Sequence, residues 1–285
     1  MAKDYGCLGF VDLLNGGQRR IVPTDDLFLN YLFKDEAEWE TLRSILNIIL
    51  AEYIARYPKT SKALVEGDIK VETQYDYYLD ASHKKTQDIK VSDSDGKKLI
   101  YVEFQNQARP QIPIKVRAWQ YFALGVSLSD DGIANQVWLL KENVDDLLEG
   151  QTFANYVITN EVTQNLYPNV SSMLFVSLER LSEGAGVAAE LASFLLGAKL
   201  DASDNRIKEI ADRFTNRFAI FKADKEVESK MTRMEEIRLI TIEESARAIA
   251  RRMLERKRPL EEVAADTELP IGEVERLNRE LYPIS

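Results

Sequence analysis

Asp88, Lys90, Glu103 and Gln105 flank the stretch Ser94-Asp95-Gly96-Lys97. Asp-Gly is the strongest two-residue signal for a β-hairpin, because both central residues of a type I′ turn take positive φ. With Ser94 opposite Lys97, the register sets Val91 against Ile100 and Ile89 against Val102, so that four apolar side chains share one face. The same register sets Asp88 directly opposite Glu103 on the other face, with Gln105 two residues further along and Lys90 two residues beyond Asp88. Like charges at the roughly 5 Å spacing of cross-strand neighbours destabilise a sheet. A divalent cation is the simplest agent to offset that repulsion, since Mg²⁺ takes one or two carboxylates together with waters and phosphate oxygens. The alternative is a solvated face on which both acids point into water, and the pairing argument alone leaves both readings open.

The elements that must position these residues are readable in outline. Thr24-Asp25-Asp26 supplies helix N-cap candidates ahead of Leu29, Leu32 and Phe33, and residues 37–56 carry one apolar stripe that Pro58 closes. From Asp68 the period changes to two, describing a half-buried strand through Leu79. Strands are expected at 87–92 and 99–105, a helix at 114–128, strands at 136–140 and 172–178, and a helix near 187–197. Helix, antiparallel strands, helix and strand in that order give an α/β (α+β) domain. The boundaries expected are an N-terminal segment at 1–23, that domain at 24–200, and an all-helical extension at 201–285.

Gln87-Asp88-Ile89, the turn at Gly96 and Val102-Glu103-Phe104-Gln105 resemble the D…ExQ signature of the PD-(D/E)XK nuclease family transposases, also called the Rpn family of recombination-promoting nucleases. Asp26 to Phe33 with Ser44 to Leu50 resembles the family's opening pattern, Arg117 to Tyr121 the helix after the ExQ strand, and Met173 to Leu181 a later strand. The resemblance covers about residues 24–200. It implies a restriction-endonuclease-like mixed sheet flanked by helices, and a metal-dependent DNA endonuclease linked to recombination or transposition. By this carry-over Asp88 and Glu103 would hold Mg²⁺ or Mn²⁺, which activates a water for attack on phosphorus. Gln105 stands where the parent superfamily has Lys, and a carboxamide supplies no positive charge. Lys90, on the same face by register, is expected to return that cation. Asn30 stands where the family usually shows Lys. A nuclease fold without useful activity, serving as a nucleic-acid-binding or assembly module, is the competing reading.

Arg117 and Tyr121 share a helix face at i and i+4, where they could meet a phosphate; the alternative is a surface charge and a core-edge ring. Glu52 is expected on a solvated helix face, Asp26 as a cap, and His83, the sole histidine, in a loop between strands. In the tail, Leu239, Ile242, Ala246, Ile249 and Met253 form a narrow seam of about two heptads, expected to pack onto the preceding domain, with pairing of two copies as a homodimer the close alternative. Arg247, Arg251, Arg252, Arg256, Lys257 and Arg258, with Glu255 as the one acid among them, make a basic run, and Arg251 and Arg252 are its candidate phosphate contacts. Residues 259–281 read as helix, turn, helix, resembling a helix-turn-helix module. Glu273 and Glu275 would then face phosphates, so a packing hairpin is preferred.

Composition bounds the rest. With 285 residues, 45% hydrophobic and 9% aromatic, the chain can bury a large core. A lone Cys7 excludes internal disulfides and fits a cytoplasmic setting, and nothing approaches the ~18 uninterrupted apolar residues of a membrane span. Against 37 basic side chains stand 47 acidic ones, a net charge of −10. That opposes tight nonspecific DNA binding and leaves weak, salt-sensitive, metal-dependent association with DNA, RNA staying open as substrate.

Overall fold

Asp25 turns its carboxylate onto the backbone N–H groups of Leu27 and Phe28, the bond that starts a helix, and α1 (Asp26–Phe33) follows. The cap is therefore Asp25, and Asp26 is the exposed first residue of the helix. These details come from a computed structural model, which describes residues 8–12, 18–60, 63–80, 83–93, 99–105, 114–128, 135–141, 144–157, 171–198 and 203–282. Ahead of α1, β1 (Gly9–Asp12) and β2 (Gln18–Ile21) form a two-stranded sheet that the sequence pattern did not indicate. After a single 3-10 turn, α2 (Trp39–Arg56) buries Leu42, Ile45, Leu46, Ile49, Leu50 and Tyr53, the expected stripe. It stops at Tyr57, whose backbone leaves the helical region because Pro58 follows.

The main sheet has six strands in the order β3-β4-β5-β6-β8-β7. Its members are β3 (Ile69–Asp80), β4 (His83–Asp93), β5 (Leu99–Gln105), β6 (Asn135–Leu140), β7 (Phe153–Val157) and β8 (Ser172–Ser177). α3 (Ile114–Leu128) and α4 (Asp145–Leu148) lie between them in sequence. β3, β4 and β5 are antiparallel neighbours, and Ile89 pairs with Val102 and Val91 with Ile100, the register expected from the Asp-Gly signal. The turn itself, 94–98, lies outside the described residues. His83 opens β4 and pairs with Asp80, so it is a strand residue and not the loop residue expected, because the β3–β4 ladder runs on through the polar stretch.

β5, β6 and β8 run parallel, which requires a crossover, and α3 supplies the one between β5 and β6. The central strands are covered on both sides. Val102, Phe104, Val137, Leu139, Leu174 and Val176 are buried on one face. On the other, α3 seats Ile114, Ala118, Tyr121 and Phe122 among Trp138, Leu140, Met173 and Phe175. α5 (Leu178–Ser182), α6 (Val187–Leu195) and α7 (Asn205–Ala223) follow. Phe214, Phe218 and Phe221 of α7 meet the Phe28 ring edge-on at 5.3–6.0 Å, and Arg217 bonds the Glu38 carboxylate at 2.8 Å and that of Asp35. α7 therefore belongs to the first compact unit, which runs through Ala223, past the residue-200 boundary expected.

The second unit is helical: α8 (Lys225–Glu255), α9 (Leu260–Thr267) and α10 (Ile271–Leu281), packed around Ala250, Leu254, Val263, Leu269, Val274 and Leu277. Ile249, expected in an apolar seam, is 51% exposed, because α9 and α10 dock on the flank of α8 that holds Ala250 and Leu254. The side chains of Leu239 and Ile242 lie outside the described residues. Among those described, no helix is long and apolar enough to cross a membrane.

Candidate functional site

β5 runs through the middle of the sheet and places Glu103 and Gln105 on the face that α3 covers, since they pair with Trp138 and Leu140 of β6. Both polar residues are deeply buried, Glu103 at 3% and Gln105 at 8% exposure. A carboxylate so removed from water needs a compensating charge or hydrogen bonds. α3 brings one. Arg117 sits one turn after Ile114 on the helix flank, and its Nη2 donates to Gln105 Oε1 at 2.6 Å while lying 3.5 Å from Glu103 Oε2.

The guanidinium is also held by aromatic faces. Its Cζ lies 5.2 Å from the Trp138 ring centroid and 5.9 Å from that of Tyr121, and those two rings stack at 6.0 Å and 20°. Tyr121 is thus a core residue beneath Arg117, 6% exposed, and offers no surface for a phosphate; the core-edge alternative describes it. Among the described residues, Arg117 Nε and Gln136 Nε2 are closed off from solvent without a hydrogen-bond partner. The Gln136 Oε1 accepts from Trp138 Nε1 at 2.8 Å.

The other expected site residues lie on β4. The pairs described between β4 and β5 run from Ser92–Leu99 to Ile89–Val102, and Asp88 and Glu103 are each the next residue beyond the last pair. The Asp88 side chain lies outside the described residues. Lys90 Nζ donates to Glu72 Oε1 of β3 at 2.8 Å, an ion pair set up by the Glu72–Lys90 register of the β3–β4 hairpin. Among the described contacts, the cation that meets Glu103 and Gln105 is Arg117. Sequence reasoning placed Arg117 toward nucleic acid, because the docking of α3 on β5 leaves no trace in local pattern.

Of the two expected oxygen donors, the Glu103 carboxylate is of the kind Mg²⁺ takes with waters and phosphate, whereas the expected Asp88–Glu103 pair is not among the pairs described. Among the described residues no group of three or more His, Cys, Asp or Glu side chains is placed to hold a metal.

Away from this site, Glu52 pairs with Arg56 at 2.7 Å along α2, and Asn30 Nδ2 donates to the Asp26 carbonyl. In the helical unit the basic run is partly neutralised from α10 and α9. Arg247 reaches Glu273 at 2.9 Å, Arg251 reaches Glu280 at 3.0 Å and Arg258 reaches Glu262 at 2.6 Å. Glu273 thus turns to Arg247 and Arg276, and hydrogen bonds from those arginines hold its carboxyl below the usual value. Arg252 is exposed on α8 and has no ion pair among the described residues. No family model, curated protein or solved structure matches the chain.

Proposed function

We propose that the chain is a metal-dependent nuclease with a restriction-endonuclease-like core, acting on DNA in recombination or transposition. The observation that carries the reading is the buried Glu103 carboxylate, on a central strand, grouped with Gln105 and a guanidinium and next in register to a second acid, Asp88. A mixed sheet with helices on both sides is compatible with that core. In this reading Asp88 and Glu103 hold Mg²⁺ or Mn²⁺, and the bound ion polarises a phosphoryl oxygen and lowers the pKa of a water. Arg117 provides the fixed positive charge that Gln105 cannot, standing where a phosphate oxygen would be drawn toward the carboxylate pair. Gln105, held through its Oε1 by Arg117, positions that guanidinium. Lys90, paired with Glu72, serves the hairpin.

The test is cleavage of plasmid and oligonucleotide DNA with Mg²⁺ or Mn²⁺ by the wild type, the Asp88→Ala/Glu103→Ala variant, Arg117→Ala and Lys90→Ala. Activity is expected to vanish in the first variant, to fall at least tenfold in the second and to persist in the third. Wild-type cleavage no greater than that of the double variant would sink the enzymatic reading.

One observation favours a second reading, in which the fold is kept for assembly or nucleic-acid binding without hydrolysis. Arg117 supplies Glu103 with a counter-charge from within the protein, so the buried acid does not require a metal to be tolerated. Calorimetric titration with Mn²⁺ separates the two: stoichiometric heat lost in Glu103→Gln supports the nuclease, and no heat supports the module.

A further inference from the structure

The two edges of the six-stranded sheet differ in chemistry. β3 carries Lys70, Glu72, Asp76 and Asp80, charges of the kind that discourage an edge from pairing with another chain. β7, Phe153-Ala154-Asn155-Tyr156-Val157, carries no charge and no proline, and its ladder to β8 is regular. The inner side of β7 is committed: Ser177 N–H donates to the Thr152 carbonyl, and the ladder runs on to the Val157–Ser172 pair. Bonded groups alternate along an antiparallel strand. With Thr152, Ala154 and Tyr156 turned to β8, the backbone N–H and C=O of Phe153, Asn155 and Val157 face outward, where no described residue pairs with them.

Two further observations concern the same strand. A cavity of about 480 Å³ opens beside it, with Tyr53, Tyr57, Asn155 and Tyr156 in its lining. The Oδ1 of Asn155 is closed off from solvent and has no hydrogen-bond partner among the described residues. A shielded acceptor without a donor is a cost that most native structures avoid.

We propose that β7 pairs antiparallel with β7 of a second copy of this chain, about a two-fold axis at Asn155. That axis maps the three outward-facing residues onto themselves, Asn155 against Asn155 of the partner subunit and Phe153 against Val157 of the partner subunit. Every outward backbone donor at these positions then meets an acceptor. The two Asn155 carboxamides stand directly opposite on one face of the joined sheet, within cross-strand reach. A rotation about the soft terminal torsion of Asn lets each Nδ2 donate to the other Oδ1, giving the shielded acceptor its donor. Charge selects the same edge. A chain of net charge −10 repels its own copy over much of its surface, and the strand itself brings no charge to the meeting, although Glu149 lines the cavity beside it. The contact is isologous and closes at two copies.

Sedimentation equilibrium over a wide concentration series tests this. The weight-average mass is expected to rise from 32.6 kDa toward twice that value. Asn155→Pro removes an outward N–H together with the carboxamide and leaves the backbone ladder to β8, so the protein should keep its far-UV dichroism and stay monomeric. Asn155→Asp sets two carboxylates across the axis. Its dimer should be lost at neutral pH and return below the ordinary carboxylate pKa of about 4, with the wild type measured alongside. If Asn155→Pro does not fold, the pH reversal of Asn155→Asp decides. A wild type monomeric at every concentration overturns the proposal. So does a dimer that Asn155→Pro and Asn155→Asp both leave intact, which would place the contact elsewhere, as on the C-terminal helices.

Discussion

Glu103 and Arg117 form the interaction whose removal should be felt most. At 3% exposure the Glu103 charge is tolerable only with support, and Arg117 lies 3.5 Å away with its guanidinium over Trp138. Arg117→Met keeps the volume and takes the guanidinium away from the acid, which should lower unfolding free energy in urea by roughly 1.5–3 kcal/mol, the range for a hydrogen bond to a charged group. Arg117→Met/Glu103→Gln should recover most of that loss; if it does not, packing over the ring and not charge is what Arg117 provides. A second residue-scale expectation concerns acid. A hydrogen bond from the Ala37 backbone N–H, and after it the Arg217 guanidinium, hold the Asp35 carboxyl below its ordinary value of 3.8 against the opposing effect of burial. A carboxyl depressed in the folded state stabilises above its unfolded pKa and loses that contribution as pH falls through the folded value. The stability gap between wild type and Arg217→Met should therefore be constant near neutrality and shrink below pH 3.8.

At the scale of elements, local pattern was informative wherever one element settles its own geometry. The helix expected at 114–128 is α3 from Ile114 to Leu128, and the Asp-Gly signal fixed the Ile89–Val102 register, because apolar residues on the wrong face would have been exposed by any one-residue slip. Asp25→Ala tests the start of α1: loss of a cap that also pairs with Arg19 at 2.8 Å should cost about 1–2 kcal/mol, read from the thermal midpoint. β7 went unread because Phe153-Ala154-Asn155 lacks both clean alternation and a β-branched run, so only its pairing with β8 makes it a strand. The meeting of Arg117 with Gln105 went unread for a related reason. It depends on how a helix lies across a sheet, and spacing within either element carries no record of that.

For the whole molecule, the net charge is −10, and Glu273, Glu280 and Glu262 occupy Arg247, Arg251 and Arg258 of the basic run, while Arg252, Arg256 and Lys257 are exposed with no ion pair among the described residues. DNA affinity should be weak and fall steeply with salt. Arg252→Ala should flatten the plot of log affinity against log salt by about one unit if that residue meets a phosphate, whereas Arg251→Ala, which leaves Glu280 with Arg276 at 3.8 Å, should weaken binding at every salt concentration.

The long β3–β4 hairpin bears on this in mechanical terms. The pairs described between β4 and β5 end at Ile89, while those with β3 continue to His83. Asp88 stands where a multi-stranded sheet forks into a two-stranded ribbon, and the six residues from His83 to Asp88 reach about 20 Å. Ribbons of two strands twist more readily than wider sheets. Backbone amides from His83 to Gln87 should accordingly exchange with solvent faster than those from Ile89 to Ser92. On the proposed reading, a duplex flank resting against this ribbon would load Asp88 as a torque, with the hairpin as a lever arm about the proposed metal ligand.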